Sequence, residues 1–247
     1  MRTRTHSEPF DFQPGMVIAN KYVIIEKLGE GFEGEVYKIM EKGTKIERAA
    51  KFFFPERNER NKAATQYAKL LHDLSSCSIV IHYHTHEYIK VRGQIITCLI
   101  SEYVEGELLS DFLKKHHGGY IGIFRGLQLL HALASGLESM HQRKLYHGDL
   151  HSCNVMVKRS GLGFELKLLD MYYWGNSYRL TAFDDILDCI KIFYEAIGGQ
   201  KRYAKQPIEI KEIIMGLKHN LIRKKFRSAT ALKIYLENIH WRSNVRA

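Results

Sequence analysis

One segment near the middle of the chain places two carboxylates and an amide at spacings that limit how the chain can fold. It reads Tyr146-His-Gly-Asp-Leu-His-Ser-Cys-Asn154 and is followed, after a hairpin pattern, by Leu168-Leu-Asp170. Asp149 lies five residues before Asn154, and Asp170 follows sixteen residues after it. A loop followed by a hairpin can bring these three side chains to one place. A fold in which the three side chains act together must place this loop beside the end of the hairpin.

A second constraint is a glycine-rich turn between two strand-like segments. Gly29-Glu-Gly-Phe-Glu-Gly-Glu-Val36 has the spacing GxGxxGxV, and glycines let a backbone approach a polyphosphate because no Cβ blocks the way. A dinucleotide-binding turn would need a helix directly after the glycines, whereas a strand-like segment follows here. Lys51 on the third strand lies at a distance that lets it reach toward phosphates held by the turn. The two features together predict a phosphate-binding hairpin.

These motifs, in this order, resemble those of the protein-kinase-like superfamily over roughly residues 20 to 240. The central segment resembles its H-x-D-x-x-x-x-N catalytic loop, and Asp170 resembles its magnesium-binding aspartate. The stretch Ser-Glu-Tyr-Val-Glu-Gly at 101–106 resembles the hinge, with Ser101 in the gatekeeper position. Residues 185–198 resemble the buried helix that opens with an aspartate and anchors the loop, and residues 227–232 resemble the closing helix.

The resemblance implies an enzyme that transfers the γ-phosphoryl group of ATP with the help of Mg²⁺. Lys51 would neutralise charge on the α- and β-phosphates, and Asp149 would accept or orient the proton of the acceptor hydroxyl. Asn154 and Asp170 would hold Mg²⁺. The implied catalytic residues are Asp149, Lys51 and Asn154. The implied cofactor-binding residues are Gly29, Glu30, Gly31, Phe32, Gly34, Val36, Ala49, Lys51, Glu59, Ser101, Glu102, Tyr103 and Val104.

The partner of Lys51 departs from the family pattern. Most members place a glutamate midway along the first helix to pair with this lysine, but the matching turn here carries Gln66 and Tyr67. Glu59, one to two turns earlier, is the predicted substitute.

The catalytic segments also depart from the pattern. Gly148 replaces an arginine that senses a phosphorylated activation loop in many kinases, which argues against that regulation. His151 stands where serine/threonine kinases usually carry lysine, and His-Gly-Asp-Leu-His resembles the small-molecule phosphotransferases. The triplet at 170–172 reads Asp-Met-Tyr rather than Asp-Phe-Gly. Only fourteen residues separate Asp170 from Asp185, so the long activation and peptide-docking segment is missing.

The order of patterns predicts an α+β fold class, a bilobal protein-kinase-like fold with a small β-rich N-lobe carrying one helix and a mainly α-helical C-lobe. We expect an N-terminal extension without a folded element at 1–20, the N-lobe at 21–103 and the C-lobe at 104–247. Alternating and β-branched-rich segments predict the strands, and apolar spacing of three to four residues predicts the helices. The predicted strands are 22–28, 34–39, 48–54, 79–91 and 94–103. The predicted helices are one within 55–74 and those at 108–115, 127–141, 185–197, 208–217 and 229–239.

Composition bounds the compartment and the partners. The N-terminus lacks the apolar run of a secretory signal, so we expect a cytoplasmic protein, although delivery as a secreted effector stays open. The four cysteines show no CxxC spacing and are expected to be reduced thiols. From residue 201 to the end there are 12 Lys and Arg against 3 Asp and Glu. This basic region is a solvated helical face or docks an acidic partner.

Three functions stay open at this point. The first is a kinase that phosphorylates protein Ser or Thr, and the second is a small-molecule phosphotransferase of the aminoglycoside- or choline-kinase-like kind. The third is a pseudokinase that binds nucleotide without turnover, although the lysine, both aspartates and the asparagine are all present. A zinc site at His82, His84 and His86, which alternate along a strand, is a further alternative without an acidic or cysteine partner at ligand spacing.

Overall fold

The chain divides into two compact units in the computed structural model, which describes residues 8–171 and 181–242. Unit 1 comprises Met1–Ser76 and Ile81–Val104, and unit 2 comprises Cys77–Val80 and Glu105–Ala247. Val80 forms a parallel bridge with Leu168, so this short segment joins the sheet of unit 2. Among the described residues, no helix combines the length and the apolar character needed to cross a membrane.

Unit 1 is built on a six-stranded antiparallel sheet in the order β1-β2-β3-β4-β6-β5. Its strands form where apolar residues alternate, because successive side chains in a strand point to opposite faces. Tyr22 and Ile24, for example, are buried while their neighbours are partly or fully exposed. The strands are β1 Val17–Ile18, β2 Tyr22–Glu30, β3 Gly34–Glu41, β4 Glu47–Phe53, β5 Tyr83–Val91 and β6 Gln94–Glu102.

The segment before β1 covers one face of this sheet. Phe10 and Phe12 are 8% and 6% exposed and stack on each other with ring centroids 5.4 Å apart. The Phe12 ring also contacts the rings of Tyr37 and Phe52 at 5.3 and 4.8 Å. The expectation that residues 1–20 lack a folded element is therefore wrong for the described residues 8–20, because β1 and two buried phenylalanines lie there.

A single long helix of unit 1 lies between β4 and β5 in the chain. Pro55 opens a 3-10 turn, Pro55–Arg57, and a second one, Glu59–Asn61, precedes α1, Lys62–Asp73. The side chain of Asn58 accepts a hydrogen bond from the backbone N–H of Ala64 at 3.1 Å. This bond satisfies one of the unpaired N–H groups at the helix start. The apolar spacing places Tyr67, Leu70 and Leu71 on the buried side.

The described residues of unit 2 are mainly helical and form one small sheet, in the order β7-β8-β9. Its long helix α3 packs against α4 and α8 and buries Leu129, Leu133 and Leu137 at helical spacing. Helix α4 begins with a capping box between Thr181 and Asp184. The elements are β7 Glu107–Leu108, α2 Leu109–Lys114, α3 Ile123–His141, β8 Val155–Ser160, β9 Gly163–Leu168, α4 Ala182–Ala196, α5 Gly199–Tyr203, α6 Ile208–Ile214, α7 His219–Lys225 and α8 Ala229–Glu237.

The predicted α+β class is confirmed, with a β-rich N-terminal part carrying one long helix and a mainly helical part after it. The four cysteines are free, and three of them, Cys77, Cys98 and Cys189, are buried. Elements that the sequence patterns missed are short: β1 and β7 have 2 residues each, α5 has 5 and α7 has 7.

Candidate active site

The glycine-rich turn connects β2 to β3 and is closed by a backbone hydrogen bond from Gly31 N–H to Gly34 C=O at 2.9 Å. Gly34 is required by packing, because a Cβ there would lie 1.9 Å from the carbonyl oxygen of Phe52. A Cβ at Gly29 or Gly31 would meet no atom of the described residues within 4 Å, and Phe32 at the tip is 72% exposed. The backbone of the turn is thus open to a ligand on the side of the first two glycines.

A buried carboxylate fixes the β3 side of this turn. Glu35 is fully buried and accepts hydrogen bonds from Phe10 N–H at 3.1 Å, the Tyr37 hydroxyl at 2.7 Å and Lys27 Nζ at 2.6 Å. Burial and the bond to Glu35 raise the pKa of Tyr37 to about 12, so its hydroxyl stays protonated and donates. Sequence reasoning missed Glu35. The alternation that buries Tyr37 and Ile39 extends back to position 35 and could have revealed it.

The predicted nucleotide-binding residues of β3, β4 and β6 share one face of the sheet. Val36 pairs with Lys51, and Ala49 pairs with Ser101, in the antiparallel register. Residues directly opposite each other, and residues two apart in one strand, point to the same side. The structure therefore brings Val36, Ala49, Lys51 and Ser101 together on the face opposite to the one that Phe10 and Phe12 cover.

The ammonium group of Lys51 lies between a carboxylate and two aromatic rings. Its Nζ is 2.8 Å from Glu33 Oε2, 5.0 Å from the centre of the Tyr67 ring and 5.3 Å from that of Phe53. The predicted pairing with Glu59 is wrong. Glu59 is exposed in the 3-10 turn before α1 and forms no ion pair with Lys51 in the described part of the chain. The helix supplies the Tyr67 ring at the family's glutamate position instead, and the glycine turn supplies the carboxylate.

The residues predicted as the hinge lie at the end of β6 and directly after it. Ser101 is buried, whereas Glu102, Tyr103 and Val104 are partly buried. Glu102 accepts a hydrogen bond from His82 N–H at 3.1 Å, and Lys38 Nζ lies 4.3 Å from the centre of the Tyr103 ring. The main chain leaves unit 1 after Val104.

In unit 2, a buried carboxylate holds the segment predicted as the catalytic loop. Asp185, on the first turns of α4, is fully buried and accepts from the backbone N–H groups of His147 and Gly148, both at 2.9 Å. His141 Nε2 lies 2.9 Å from the same carboxylate. Charge-assisted bonds of this kind are stronger than neutral ones. Asp185 therefore fixes the entry of the loop, as the resemblance implies, although α4 begins three residues before it, at Ala182.

Two residues of the loop owe their identity to its conformation. Gly148 has φ of 76°, in the left-handed region that glycine adopts without strain. His147 is fully buried, and burial lowers its pKa below the ordinary value because the charged imidazole would lose its hydration. The neutral ring can donate through Nε2 to Leu169 C=O at 2.9 Å and accept at Nδ1 from Asp149 N–H at 3.3 Å. The two residues that precede the predicted catalytic aspartate are thus fixed.

Asp149, Asn154 and Asp170 occupy the loop and the end of the hairpin β8–β9. The side-chain amide of Asn154 donates to Asp149 C=O at 2.9 Å, and Leu169 N–H donates to Asn154 C=O at 2.9 Å. The second bond brings the backbone of Asn154 next to the residue that precedes Asp170. The Asp149 side chain is 51% exposed, and His151 Nε2 lies 3.7 Å from it.

The chemistry of these donors fits a magnesium ion. The Asn154 nitrogen is engaged with Asp149 C=O, which leaves its oxygen for a ligand role, and Asp170 adds a carboxylate. Mg²⁺ prefers such oxygen ligands and keeps several waters. The third residue of the predicted metal-binding triplet, Tyr172, lies outside the described residues.

The three alternating histidines of unit 1 have separate neighbours. His84 lies 3.7 Å from Glu41, His82 lies 3.9 Å from Glu102, and His86 Nδ1 lies 3.0 Å from the Tyr83 hydroxyl. Within residues 8–171 and 181–242, no three His, Cys, Asp or Glu side chains are grouped as a metal site requires. The geometry of the described part thus gives the zinc alternative no support.

A cavity of about 360 Å³ lies elsewhere in unit 1, between α1 and strands β5 and β6. The predicted site residues are absent from its lining. That lining consists of Asn61, Ala64, Thr65, Ala68, Lys69, His72, Asp73, Tyr83, His86, Tyr88, Thr97 and Leu99.

Residues 22–182 match the protein kinase domain family. The match spans more than half of the chain and includes the glycine turn, Lys51, the loop that contains Asp149, and Asp170. This chain belongs to the protein kinase domain family, a family of ATP-dependent phosphotransferases. The resemblance inferred from the sequence motifs is confirmed.

Among curated proteins, several serine/threonine kinases are similar to this chain. Serine/threonine-protein kinase pkn2 of Myxococcus xanthus is 29% identical over 157 residues, which cover 63% of this chain and 18% of that protein. Serine/threonine-protein kinase Nek11 of Homo sapiens is 31% identical over 155 residues, which cover 60% and 23%. Death-associated protein kinase 2 of Homo sapiens is 27% identical, with 66% and 43% covered. The chain therefore spans less than half the length of each of these relatives.

Solved kinase domains share the fold. The structure of a mutant kinase domain of Mycobacterium tuberculosis PknI superposes with a TM-score of 0.63 at 16% identity, covering 92% of this chain and 98% of that one. A double mutant of the same domain gives a TM-score of 0.62, with 92% and 96% covered. At this level of identity the similarity concerns the fold alone.

Proposed function

We propose that this chain is an ATP- and Mg²⁺-dependent protein serine/threonine kinase of minimal type. The observation that carries the proposal is the geometry of the loop at 147–154. Asp185 fixes its backbone, and the Asn154 amide is bonded to Asp149 C=O. The Asp149 carboxylate is left half exposed. A rigid backbone that presents one accessible carboxylate suits a residue that must orient an acceptor hydroxyl.

Unit 1 would bind the nucleotide. The open side of Gly29 and Gly31 admits phosphate oxygens, and the backbone N–H groups of the turn can donate to them. Lys51 would neutralise charge on the α- and β-phosphates. Val36 and Ala49 flank Lys51 on the same face of the sheet and offer apolar surface for the base, next to the backbone of residues 101–104.

Unit 2 would supply the metal ligands and the residue that handles the proton. Asn154 and Asp170 would hold Mg²⁺, which when bound neutralises the charge that develops on the transferred phosphoryl group. Asp149 would accept a hydrogen bond from the acceptor hydroxyl and orient its oxygen for in-line attack. As the hydroxyl oxygen bonds to the γ-phosphorus, the bond from that phosphorus to the bridging β-phosphate oxygen would break, and ADP would leave. The hydroxyl proton would pass to the Asp149 carboxylate.

The acceptor is proposed to be a protein Ser or Thr, in keeping with the names of the similar serine/threonine kinases. A specific observation favours a second candidate, a small-molecule phosphotransferase. His151 replaces the usual lysine, and only fourteen residues lie between Asp170 and Asp185, too few for a long peptide-docking segment. Screening of acceptors with labelled ATP separates the two candidates.

The C-terminal part of unit 2 is proposed to dock an acidic partner. Lys201, Lys205, Lys218 and Lys224 are exposed. Some neighbouring cations are already paired, for example Lys225 and Arg242 with Glu212. The exposed lysines leave a positive surface that attracts anionic groups, and its effect weakens as salt is added. The free thiols support placing the protein in the reducing cytoplasm.

The test uses the full chain with Mg²⁺, γ-labelled ATP and a generic basic protein acceptor. We expect label on protein with the wild type and its loss, by at least about a hundredfold, in Asp149→Asn and Asp170→Asn. Asp111→Asn removes the same charge at a half-exposed position of helix α2, where Asp111 pairs with Lys114 at 2.7 Å, and should keep wild-type labelling. Equal labelling by all four proteins contradicts the proposal. Binding of MgATP without any labelling would favour a pseudokinase.

A further inference from the structure

The phosphate-binding lysine of the proposed site is held in an unusual way. Lys51 is only 12% exposed at its side chain, and its ammonium lies 2.8 Å from Glu33. The ring of Tyr67 on helix α1 has its centre 5.0 Å from this ammonium, and the ring of Phe53 on strand β4 has its centre 5.3 Å from it. Both rings are buried, at 6% and 1% exposure.

The two kinds of neighbour act differently on the lysine. An aromatic ring attracts a cation through its quadrupole and carries no net charge. Tyr67 and Phe53 can therefore fix the position of the ammonium without neutralising it. A carboxylate both fixes the ammonium and neutralises its charge. The carboxylate of Glu33 therefore offsets the positive charge of Lys51 that would otherwise attract a phosphate.

The position of Glu33 in the chain decides which of these contacts can persist. Glu33 lies on the glycine turn, between Phe32 and Gly34, which the proposed function places over the phosphates. A carboxylate that stayed on Lys51 would face the negative triphosphate, and like charges at such distances repel. Glu33 is 45% exposed at its side chain, so it can turn into water, whereas the buried Tyr67 ring cannot leave easily.

We propose that Glu33 is a displaceable stand-in for the nucleotide phosphate on Lys51, and that Tyr67 is a positioning residue that helps to keep the lysine in place after Glu33 leaves. The inference rests on the proposed nucleotide site of unit 1. It explains how the lysine is oriented in a chain whose first helix carries Tyr67 where the family has a glutamate. The phosphate and Glu33 compete for one cation, so removal of the Glu33 charge should strengthen nucleotide binding.

The first experiment measures the Kd of MgATP and of adenosine by calorimetry for the full chain and for Glu33→Gln. We expect MgATP to bind about three- to fivefold more tightly to Glu33→Gln, the scale of one partly exposed ion pair, with adenosine unchanged. Glu26→Gln removes the same charge from an exposed position of strand β2, close to the turn, and should leave the Kd of MgATP within about twofold. The gain should shrink at high salt.

The second experiment separates positioning by Tyr67 from its packing. Tyr67→Phe keeps the ring, and Tyr67→Leu keeps a buried apolar side chain without a ring. We expect the KM for ATP to rise about tenfold in Tyr67→Leu and to stay near the wild-type value in Tyr67→Phe. Adenosine should bind all three proteins equally, because it presents no phosphate to Lys51.

Two outcomes overturn the inference while leaving the proposed function intact. One is a wild type that binds MgATP while Glu33→Gln binds it equally or more weakly. Equal binding would show that Glu33 does not compete with the nucleotide, and weaker binding would make Glu33 a required partner of the lysine. The other is an equal rise of KM in Tyr67→Phe and Tyr67→Leu. A wild type that binds no MgATP at all would instead overturn the proposed function, and the inference with it.

Discussion

The carboxylate of Asp185 and the backbone N–H of His147 are joined by a 2.9 Å hydrogen bond between residues 38 positions apart. The bond is buried and runs beside a second one, from Gly148 N–H to the other carboxylate oxygen. One side chain on α4 thereby sets the backbone that carries Asp149. The orientation of the proposed catalytic residue depends on a residue that itself touches no reacting atom.

Replacement of Asp185 with Asn should uncouple this arrangement. The new amide group would face a backbone donor, which leaves a buried polar group unsatisfied. We expect the free energy of unfolding to fall by about 2 to 4 kcal/mol and phosphoryl transfer to fall with it, as measured by urea unfolding and the labelling assay. Asp111→Asn, at a half-exposed position of α2, should change stability by less than about 0.5 kcal/mol. Equal stabilities for the two variants would show that the buried carboxylate is dispensable.

Loss of the phenyl ring of Phe12 should destabilise unit 1. The ring is 6% exposed and packs against Tyr37 and Phe52, so Phe12→Ala leaves a cavity and should cost about 3 kcal/mol. The readout is the unfolding midpoint in urea. Phe124→Ala, where the ring is 70% exposed, should cost less than about 0.5 kcal/mol. If Phe12→Ala proved equally harmless, residues 8–16 would not pack stably on the sheet in solution.

Substitution of Gly148 tests whether the loop needs its left-handed backbone. With φ of 76°, a Cβ at this position is strained, so Gly148→Ala should lower stability by about 1 to 2 kcal/mol. It should also slow phosphoryl transfer. Gly148→Asn should be milder, because Asn tolerates this region. Thermal unfolding and initial rates check both effects, and an alanine variant as stable as the wild type would contradict the observed conformation.

The lowered pKa of His147 predicts that the folded protein loses stability on acidification. Its folded pKa lies below the ordinary value of 6.5, so the unfolded chain binds more protons in the window just below 6.5. The contribution of neutral His147 to the free energy of unfolding is therefore complete above pH 6.5. It is lost as the pH falls through that window, by up to about 1.4 kcal/mol per pH unit.

The measurement for His147 is urea unfolding at pH 7.5, 6.5 and 5.5 for the wild type and for His147→Gln. The amide can donate to Leu169 C=O but cannot titrate, so the variant should lose less stability than the wild type on acidification. Parallel curves for the two proteins would show that His147 is not the source of the dependence. The other histidines are the same in both proteins, so their contributions cancel in the difference.

Most elements could be predicted because their apolar periods are long. The alternation through β2 and β3, and the spacing of three to four residues in α3, α4 and α8, each repeat several times. The strands β1 and β7 were missed because two residues cannot show an alternation. The helices α5 and α7 were missed because α5 buries no residue and α7 buries only Ile222, so neither shows an apolar period. Residues 8–20 were misjudged for a related reason. Phe10 and Phe12 lie in a segment with Pro9 and Pro14, where turn residues outweighed two apolar side chains.

The candidate site was predicted where motifs fix backbone and chemistry together, and less well where a contact joins distant segments. The spacing of Asp149, Asn154 and Asp170 follows from one loop and one hairpin. The partner of Lys51 depends instead on where the glycine turn lies over β4, and no local pattern encodes that. Glu59 is suggested by its place in the sequence, whereas Glu33 and Tyr67 are close to the lysine in space.

Cys77–Val80 belongs to unit 2 although α1 and β5, on either side of it, belong to unit 1. A Cβ added at Gly136 would lie 2.1 Å from the Cδ1 atom of Ile79, so Ile79 fills the space beside this glycine. Leu168 N–H also donates to Ile79 C=O at 2.7 Å. An expression fragment that starts at Glu105 would therefore lack part of its own core. Neither half can be cut out as one continuous piece of chain, so shuffling of the two halves between homologues would have to exchange this tetrapeptide as well.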